Sequence, residues 1–233
     1  MASTDWAYMT NVLSSGDCAR GVTSGTTKPN GGGNFVYAVN SLTSTVGVVG
    51  LYTAQTNFAP MSKGCDISAA MCRYTSGGLT GFSAFMFASV GGPDVSDTGY
   101  ILGLSDGDPS HIELRKGAIS IGLPDEAPGG TNTILARSTE TVNVATWMHL
   151  RLEVVVQSFG DVFLNVYKNN LLANPVNSPV WVPIPGMSQV IDDALGINTG
   201  SLPFTSGRAG FGARVAEVTR RALFRYVRIA RQL

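Results

Sequence analysis

Charge is scarce in this chain. Asp, Glu, Lys and Arg make up 14% of its residues, against about 25% in an average soluble domain. The two signs balance at 16 each, so the formal net charge is zero. A nucleic-acid binder needs a basic excess, and this chain has none. Histidine is scarcer still, with His111 and His149 only. Cysteine is limited to Cys18, Cys65 and Cys72. That number is odd, and the spacing fits no zinc pattern that two distant histidines would complete. Reduced, structural thiols and synthesis in a reducing cytoplasm are expected. Long hydrophobic runs are missing too. Stretches such as Val154-Val155-Val156 fall far short of the ~20 apolar residues that a membrane-spanning helix needs. Met1 to Trp6 contain neither a basic stretch nor an apolar core, so no signal peptide is read there. No Lys precedes Ser or Thr, which removes a Walker A loop, and no dinucleotide fingerprint is complete.

What is abundant points to β structure. The 233 residues include 28 Gly and 11 Pro, and 44% are hydrophobic. Many turns, few long helices and a packed core follow, and a disordered chain is excluded. A chain of this length forms one β domain or two small ones. It hides roughly 70% of its unfolded surface without disulfide or metal staples.

Residues 1–32 differ from the rest. Ser3 or Thr4 caps a short predicted helix that carries Trp6, Met9 and Leu13 near one face. The Gly-, Ser- and Thr-rich stretch from Gly16 to Gly33 follows. It reads as a tether that cannot pack a core. From residue 34 the period is two. Phe35, Tyr37 and Val39 alternate with their neighbours, Val46 to Tyr52 is a short run, and Ile67, Ala69 and Met71 alternate again. Phe82 to Ala88 is apolar on both faces, as a central sandwich strand is. Two hairpins are predicted, Tyr100–Ser105 with His111–Lys116, and Trp147–Gln157 with Val162–Asn169. In the Trp147 strand, Met148, Leu150, Leu152, Val154 and Val156 face one way, and His149, Arg151 and Glu153 face the other. A long loop marked by Pro175, Pro179, Pro183 and Pro185 holds one or two helical turns within Ser188–Leu195. Two strands close the chain, Arg208–Val215 and Arg220–Arg231. Short strands between turn signals imply an antiparallel sandwich rather than βαβ units.

Some of these residues carry a resemblance. Thr146 to Val154, followed by Gly160 to Asn169, resembles the central hairpin of concanavalin A-like (laminin-G-like) jelly rolls. Gly207 to Gly212 and Phe224 to Ile229 resemble that family's closing pair of strands. The resemblance covers residues 34–233 and implies a jelly roll whose last strand returns beside the N-terminal one. A narrower likeness, carried by Asn30 to Tyr37, by the Leu102 to Gly117 hairpin and by the Trp147 strand, is to virion structural proteins of tailed bacteriophages. Low net charge suits a protein that tiles in many copies, since self-repulsion is small.

Motifs with possible chemistry are few. Gly103-Leu104-Ser105-Asp106-Gly107 matches a nucleophile elbow by letter, but that motif requires a helix after the turn, and an alternating strand follows here. The Glu-x-Asp-x-Glu strand of concanavalin-like glucanases is absent, because Glu113, Glu126, Glu140, Glu153 and Glu217 all lack an acid two residues on. A carboxylate pair assembled from distant strands stays open. Asp106 with Asp108, or Asp94 with Asp97, could hold calcium on a loop, as in some relatives of the resembled family, but calcium wants six to eight oxygens and neither pair shows an EF-hand-like series; Asp in such turns is common for backbone reasons. Seven arginines lie in residues 207–233 against Glu217 alone. Alternation places Arg221 and Arg225 on a face with Leu223 and Val227. Arg pairs and stacks well across protein interfaces.

The expectation is therefore an all-β, antiparallel, concanavalin A-like jelly-roll sandwich over residues 33–233, preceded by an arm over 1–32. It has no catalytic residue, cofactor or metal. The function implied is structural, in a phage virion made in the host cytoplasm. Its partners would be other virion proteins and further copies of itself, with neither nucleic acid nor membrane involved. The expected interface comprises Trp6, Tyr8, Met9, Leu13, Arg221 and Arg225. The alternative is a carbohydrate-binding adhesin module that takes a glycan on a sheet face or loop rim, with Trp6 and Trp181 as the Trp residues outside predicted strands.

Overall fold

The computed structural model describes residues 6–231 except 11, 25–28, 32–34, 46, 54–62, 76–81, 93, 95, 106–108, 120–132, 198–200 and 216–219. Fifteen strands are seen among the described residues. One sheet joins β1 (Trp6–Tyr8), β4 (Gly47–Thr53), β14 (Arg208–Val215), β6 (Phe82–Val90), β7 (Thr98–Leu104), β8 (Ser110–Ala118) and β9 (Thr133–Val142), in that order. The other joins β12 (Trp181–Pro183), β11 (Val162–Asn169), β10 (Trp147–Val156), β5 (Gly64–Thr75), β15 (Arg220–Arg231), β3 (Phe35–Ser41) and β2 (Cys18–Ser24). The short β13 (Val190–Asp192) pairs with β11 beside that path. All these pairings are antiparallel. The chain is an antiparallel, concanavalin A-like jelly-roll sandwich.

Period-two alternation builds the core. Ile67, Ala69 and Met71 on β5 and Leu150, Leu152 and Val154 on β10 meet Ala84, Met86, Tyr100, Leu102 and Phe211 from the opposite sheet. β6 lies at the centre of its sheet. Phe85 and Phe87 are buried on its outer face in a second cluster, which accounts for its lack of alternation. Both predicted hairpins form, as β7–β8 and β10–β11, although the tip at 106–108 lies outside the described residues. All three cysteines are free and buried, and burial pushes the Cys65 and Cys72 thiols up to about 12. One ionic cluster ties the layers together. Lys116 of β8 pairs with Asp192 of β13 at 2.7 Å, and the Tyr100 hydroxyl of β7 donates to Asp192 at 2.6 Å.

Four sequence expectations are corrected. The predicted N-terminal helix is instead strand β1, paired with β4. Met9 N donates to Gly50 O, and Leu13 N donates to Val48 O. The expected tether contains β2, paired with β3 over its whole length. The described part of residues 1–32 is thus integral to the sandwich and supplies an outermost strand to each sheet. A lone short helix is marginal in water, whereas an open sheet edge offers a full ladder of backbone partners. The helical turns expected in Ser188–Leu195 are replaced by β13, for the same reason.

The fourth correction concerns β15. Its pairing with β5 shifts register between Arg225 and Arg228, which marks a one-residue bulge, and Tyr226 sits there at φ 53°. The bulge reverses the alternation. Val227 and Ile229 turn toward the core, and Arg228 takes the outward position opposite Ser68. A left-handed Tyr costs roughly 1–3 kcal/mol unless its surroundings hold it. Here the Arg225 and Arg228 guanidinium groups flank its ring at 5.2 and 5.5 Å.

Candidate functional site

The outer face of the sheet containing β10 carries a cleft of about 700 Å³. Its floor follows from strand register. Arg151 lies opposite Ser68 on one side and Tyr167 on the other. Glu153 lies between Asp66 and Asn165, and His149 lies between Ala70 and Asn169. Asn169 in turn faces Trp181 of β12. Beyond β5, Arg228 stands opposite Ser68 and Ala230 opposite Asp66. Polar groups from β5, β10 and β15 thus line the cleft, backed by those of β11, with Val176, Pro179 and Trp181 as one wall and Trp6 at another border.

Arg151 organises the acidic end. Its Nη2 donates to Asp66 at 2.8 Å and to Glu153 at 3.3 Å, and its Nε reaches Asp66 at 3.4 Å. Glu153 also accepts from Asn165 Nδ2 at 2.9 Å and from the Tyr167 hydroxyl at 3.1 Å. The guanidinium lies 5.0 Å from the Tyr167 ring centroid. Arg151 and both acids are about a quarter exposed. Such pairs add little to stability, about 0–1 kcal/mol each, but they hold Arg151 and the two carboxylates in fixed directions. Burial raises the Asp66 carboxyl above its ordinary range, and Arg151 opposes that rise.

At the other end His149 is 2% exposed, with its ring 4.6 Å from that of Trp181. Asn169 Oδ1 accepts from Val180 N, and Asn169 Nδ2 donates to Asn174 O, both at 3.0 Å. Those bonds fix the amide orientation and pin the 170–180 loop. The same Nδ2 lies 3.3 Å from His149 Nδ1. An amide nitrogen is a donor only, so Nδ1 accepts and the imidazole proton sits on Nε2. Burial, assisted by the positive charge of Arg228, depresses His149 to about 4. The imidazole is therefore neutral at pH 7 and offers one donor.

The six residues expected at an interface do not form one surface. Met9 and Leu13, at 2% and 8% exposure, pack inside their own chain and cannot face a partner, because the strand ladder of the N-terminal segment turns them inward. Trp6 packs edge-on against Phe211 at 5.2 Å and borders the cleft. Tyr8 is 42% exposed, shares a 2.9 Å hydrogen bond with the Tyr37 hydroxyl and receives Arg20 over its ring. Arg221 is exposed, and Arg225 is half-buried beside Tyr226.

The remaining candidates are placed as follows. Ser105 is fully buried at the end of β7, where its Oγ accepts from His111 N, and strand β8 follows rather than the helix of an elbow. Glu113 is enclosed by Arg115 and Arg137. Asp94 and Asp97 are engaged by Thr10, Ser96 and the Asp94 backbone, and Asp106 and Asp108 lie outside the described residues. Among the described residues no three His, Cys, Asp or Glu side chains converge as metal ligands would. Sequence reasoning singled out Trp6 and Trp181 but passed over Asp66, Ser68, His149, Arg151 and Arg228 as a group. The wetter face of β10 was the available signal.

No protein-family model matches the chain, and no curated protein matches it. Among solved structures, carbohydrate binding module CBM66 from Bacillus subtilis is similar with a TM-score of 0.52 and 13% identity, covering 97% of this chain and 95% of that one. Cellulose induced protein Cip1 gives 0.52 and 12%, covering 100% and 94%. The PL-14 alginate lyase of the marine Aplysia kurodai gives 0.56 and 9%, covering 96% and 90%. These likenesses establish a shared sandwich fold over nearly the whole chain.

Proposed function

We propose that this chain is a carbohydrate-binding module that holds a glycan in the cleft over β10 and does not turn it over. The observation that carries this reading is the cleft itself, where an aromatic wall stands beside a polar floor whose directions are fixed. Sugars present C–H faces that pack on rings such as Trp181, and hydroxyls that pair with carboxylates, amides and guanidinium groups in fixed orientation. A largely preformed, mixed apolar and polar concavity is the usual form of a small-ligand site. The fold is also one that a carbohydrate binding module uses. Asp66 and Glu153 are the carboxylate pair left open by the sequence, and both are held by Arg151. That pairing supports a binding role over acid–base work. Of the two functions drawn from the sequence, the glycan-binding alternative has the better support, and no finding links the chain to virion proteins.

A glycan array followed by calorimetry on the best oligosaccharide tests the proposal. Trp181→Ala and Arg151→Ala are each expected to weaken binding at least tenfold with an unchanged circular dichroism spectrum. Full retention of affinity in both variants would place any glycan site elsewhere.

A further inference from the structure

We infer that the glycan is anionic, and that a uronic acid carboxylate is received at the corner of the cleft formed by Arg228, Ser68 and His149. This rests on the glycan-binding reading of the cleft and names its ligand class. Three observations on different strands carry it.

First, the bulge at Tyr226 turns Arg228 outward. Without that extra residue, alternation from Arg225 would send residue 228 into the core; with it, Arg228 stands opposite Ser68 and lines the cleft. Arg228 is exposed. Among the described residues no carboxylate pairs with it, and its guanidinium lies beside the Tyr226 ring. The bulge thus sets the cation on the lining of the cleft.

Second, the neighbouring groups at this corner are donors. Ser68 lies directly across from Arg228, and its hydroxyl has no hydrogen-bond partner among the described residues. His149 is the diagonal neighbour of Ser68 across β10 and β5, and the Asn169 network leaves its proton on Nε2. Ala70, opposite both His149 and Arg225, keeps the middle of the corner low. Third, Asp66, the acidic residue of the cleft lining, is paired with Arg151, as is the neighbouring Glu153. A cation, a hydroxyl and an imidazole N–H around a shallow hollow match a carboxylate, which accepts only. Trp181, against the His149 ring, is then placed to receive the face of the sugar that bears it.

The test uses the full chain and calorimetry. The probes are tetrasaccharides of galacturonan, mannuronan and guluronan, each beside its carboxyl-reduced, neutral counterpart. At least one uronate is expected to bind, with its reduced form about ten- to a hundredfold weaker, as loss of a charge-assisted hydrogen bond implies. Arg228→Gln is expected to remove that preference, so that acid and reduced forms bind alike, and Arg228→Lys to restore part of it. Added salt should weaken the acid form and not the neutral one. Thermal melts that match the parent show that the variants fold. Equal affinity for acid and reduced forms, or an unaltered preference in Arg228→Gln, overturns this inference and leaves the glycan-binding reading standing. If no oligosaccharide of any kind binds, both fall.

Discussion

Breaking the buried Lys116–Asp192 pair tests how the two sheets are held together. Both side chains are essentially inaccessible, at 2% and 0%. Lys116 Nζ reaches Asp192 Oδ1 at 2.9 Å and Oδ2 at 2.7 Å, and it also donates to Ser201 O at 2.6 Å. Tyr100 donates to Asp192 and accepts from Phe204 N. Lys116→Met leaves the Asp192 charge buried without its counter-ion, and Asp192→Leu does the same to Lys116. Removing one partner of a buried pair costs about 3–5 kcal/mol. For a chain of this size each kcal/mol lowers Tm by about 2–4 °C. Each single variant should therefore melt about 6–20 °C below the parent in differential scanning calorimetry. The double variant restores charge balance and leaves mainly the Tyr100 hydroxyl without an acceptor, at a cost of about 1–3 kcal/mol. It should melt above either single variant. A single-variant drop under about 4 °C, roughly 1 kcal/mol, would refute the reasoning. So would a double variant whose loss is the sum of the two.

Two further expectations concern β10. Leu150 is fully buried in the core, so Leu150→Ala should cost about 2–5 kcal/mol through lost burial and the remaining cavity; a urea-melt difference under about 1 kcal/mol would contradict its placement. His149 is depressed from 6.5 to about 4 in the folded chain, so between these values the unfolded chain binds a proton that the folded one does not. Stability should then fall as pH drops from about 6.5 to about 4, by up to roughly 3 kcal/mol. Replacing His149 by Gln should flatten that part of the urea-midpoint profile, and an unchanged slope would count against the burial of a neutral imidazole.

Much of the fold was legible because one-sided burial writes itself into period two. Leu150, Leu152 and Val154 against His149, Arg151 and Glu153 state which face of β10 is wet without reference to any other strand. Glycine, proline and low charge likewise announce short strands and turns, and the closing strands resemble those of a known jelly roll. Other features depend on surfaces that exist only once the chain has folded. Trp6 to Leu13 have helical spacing, yet the open edge beside β4 offers backbone partners that an isolated turn lacks. The bulge at Tyr226 has no signature in Arg220–Arg231, and it decides which arginine points outward. The cleft is a matter of register. Asp66 and Arg151 are 85 residues apart in sequence, and pairing of β5 with β10 and β15 brings them, with Arg228, to one face. Local periodicity determines which side of a strand is buried. Which strands become neighbours, and hence which polar residues share a site, is set by long-range pairing and core packing.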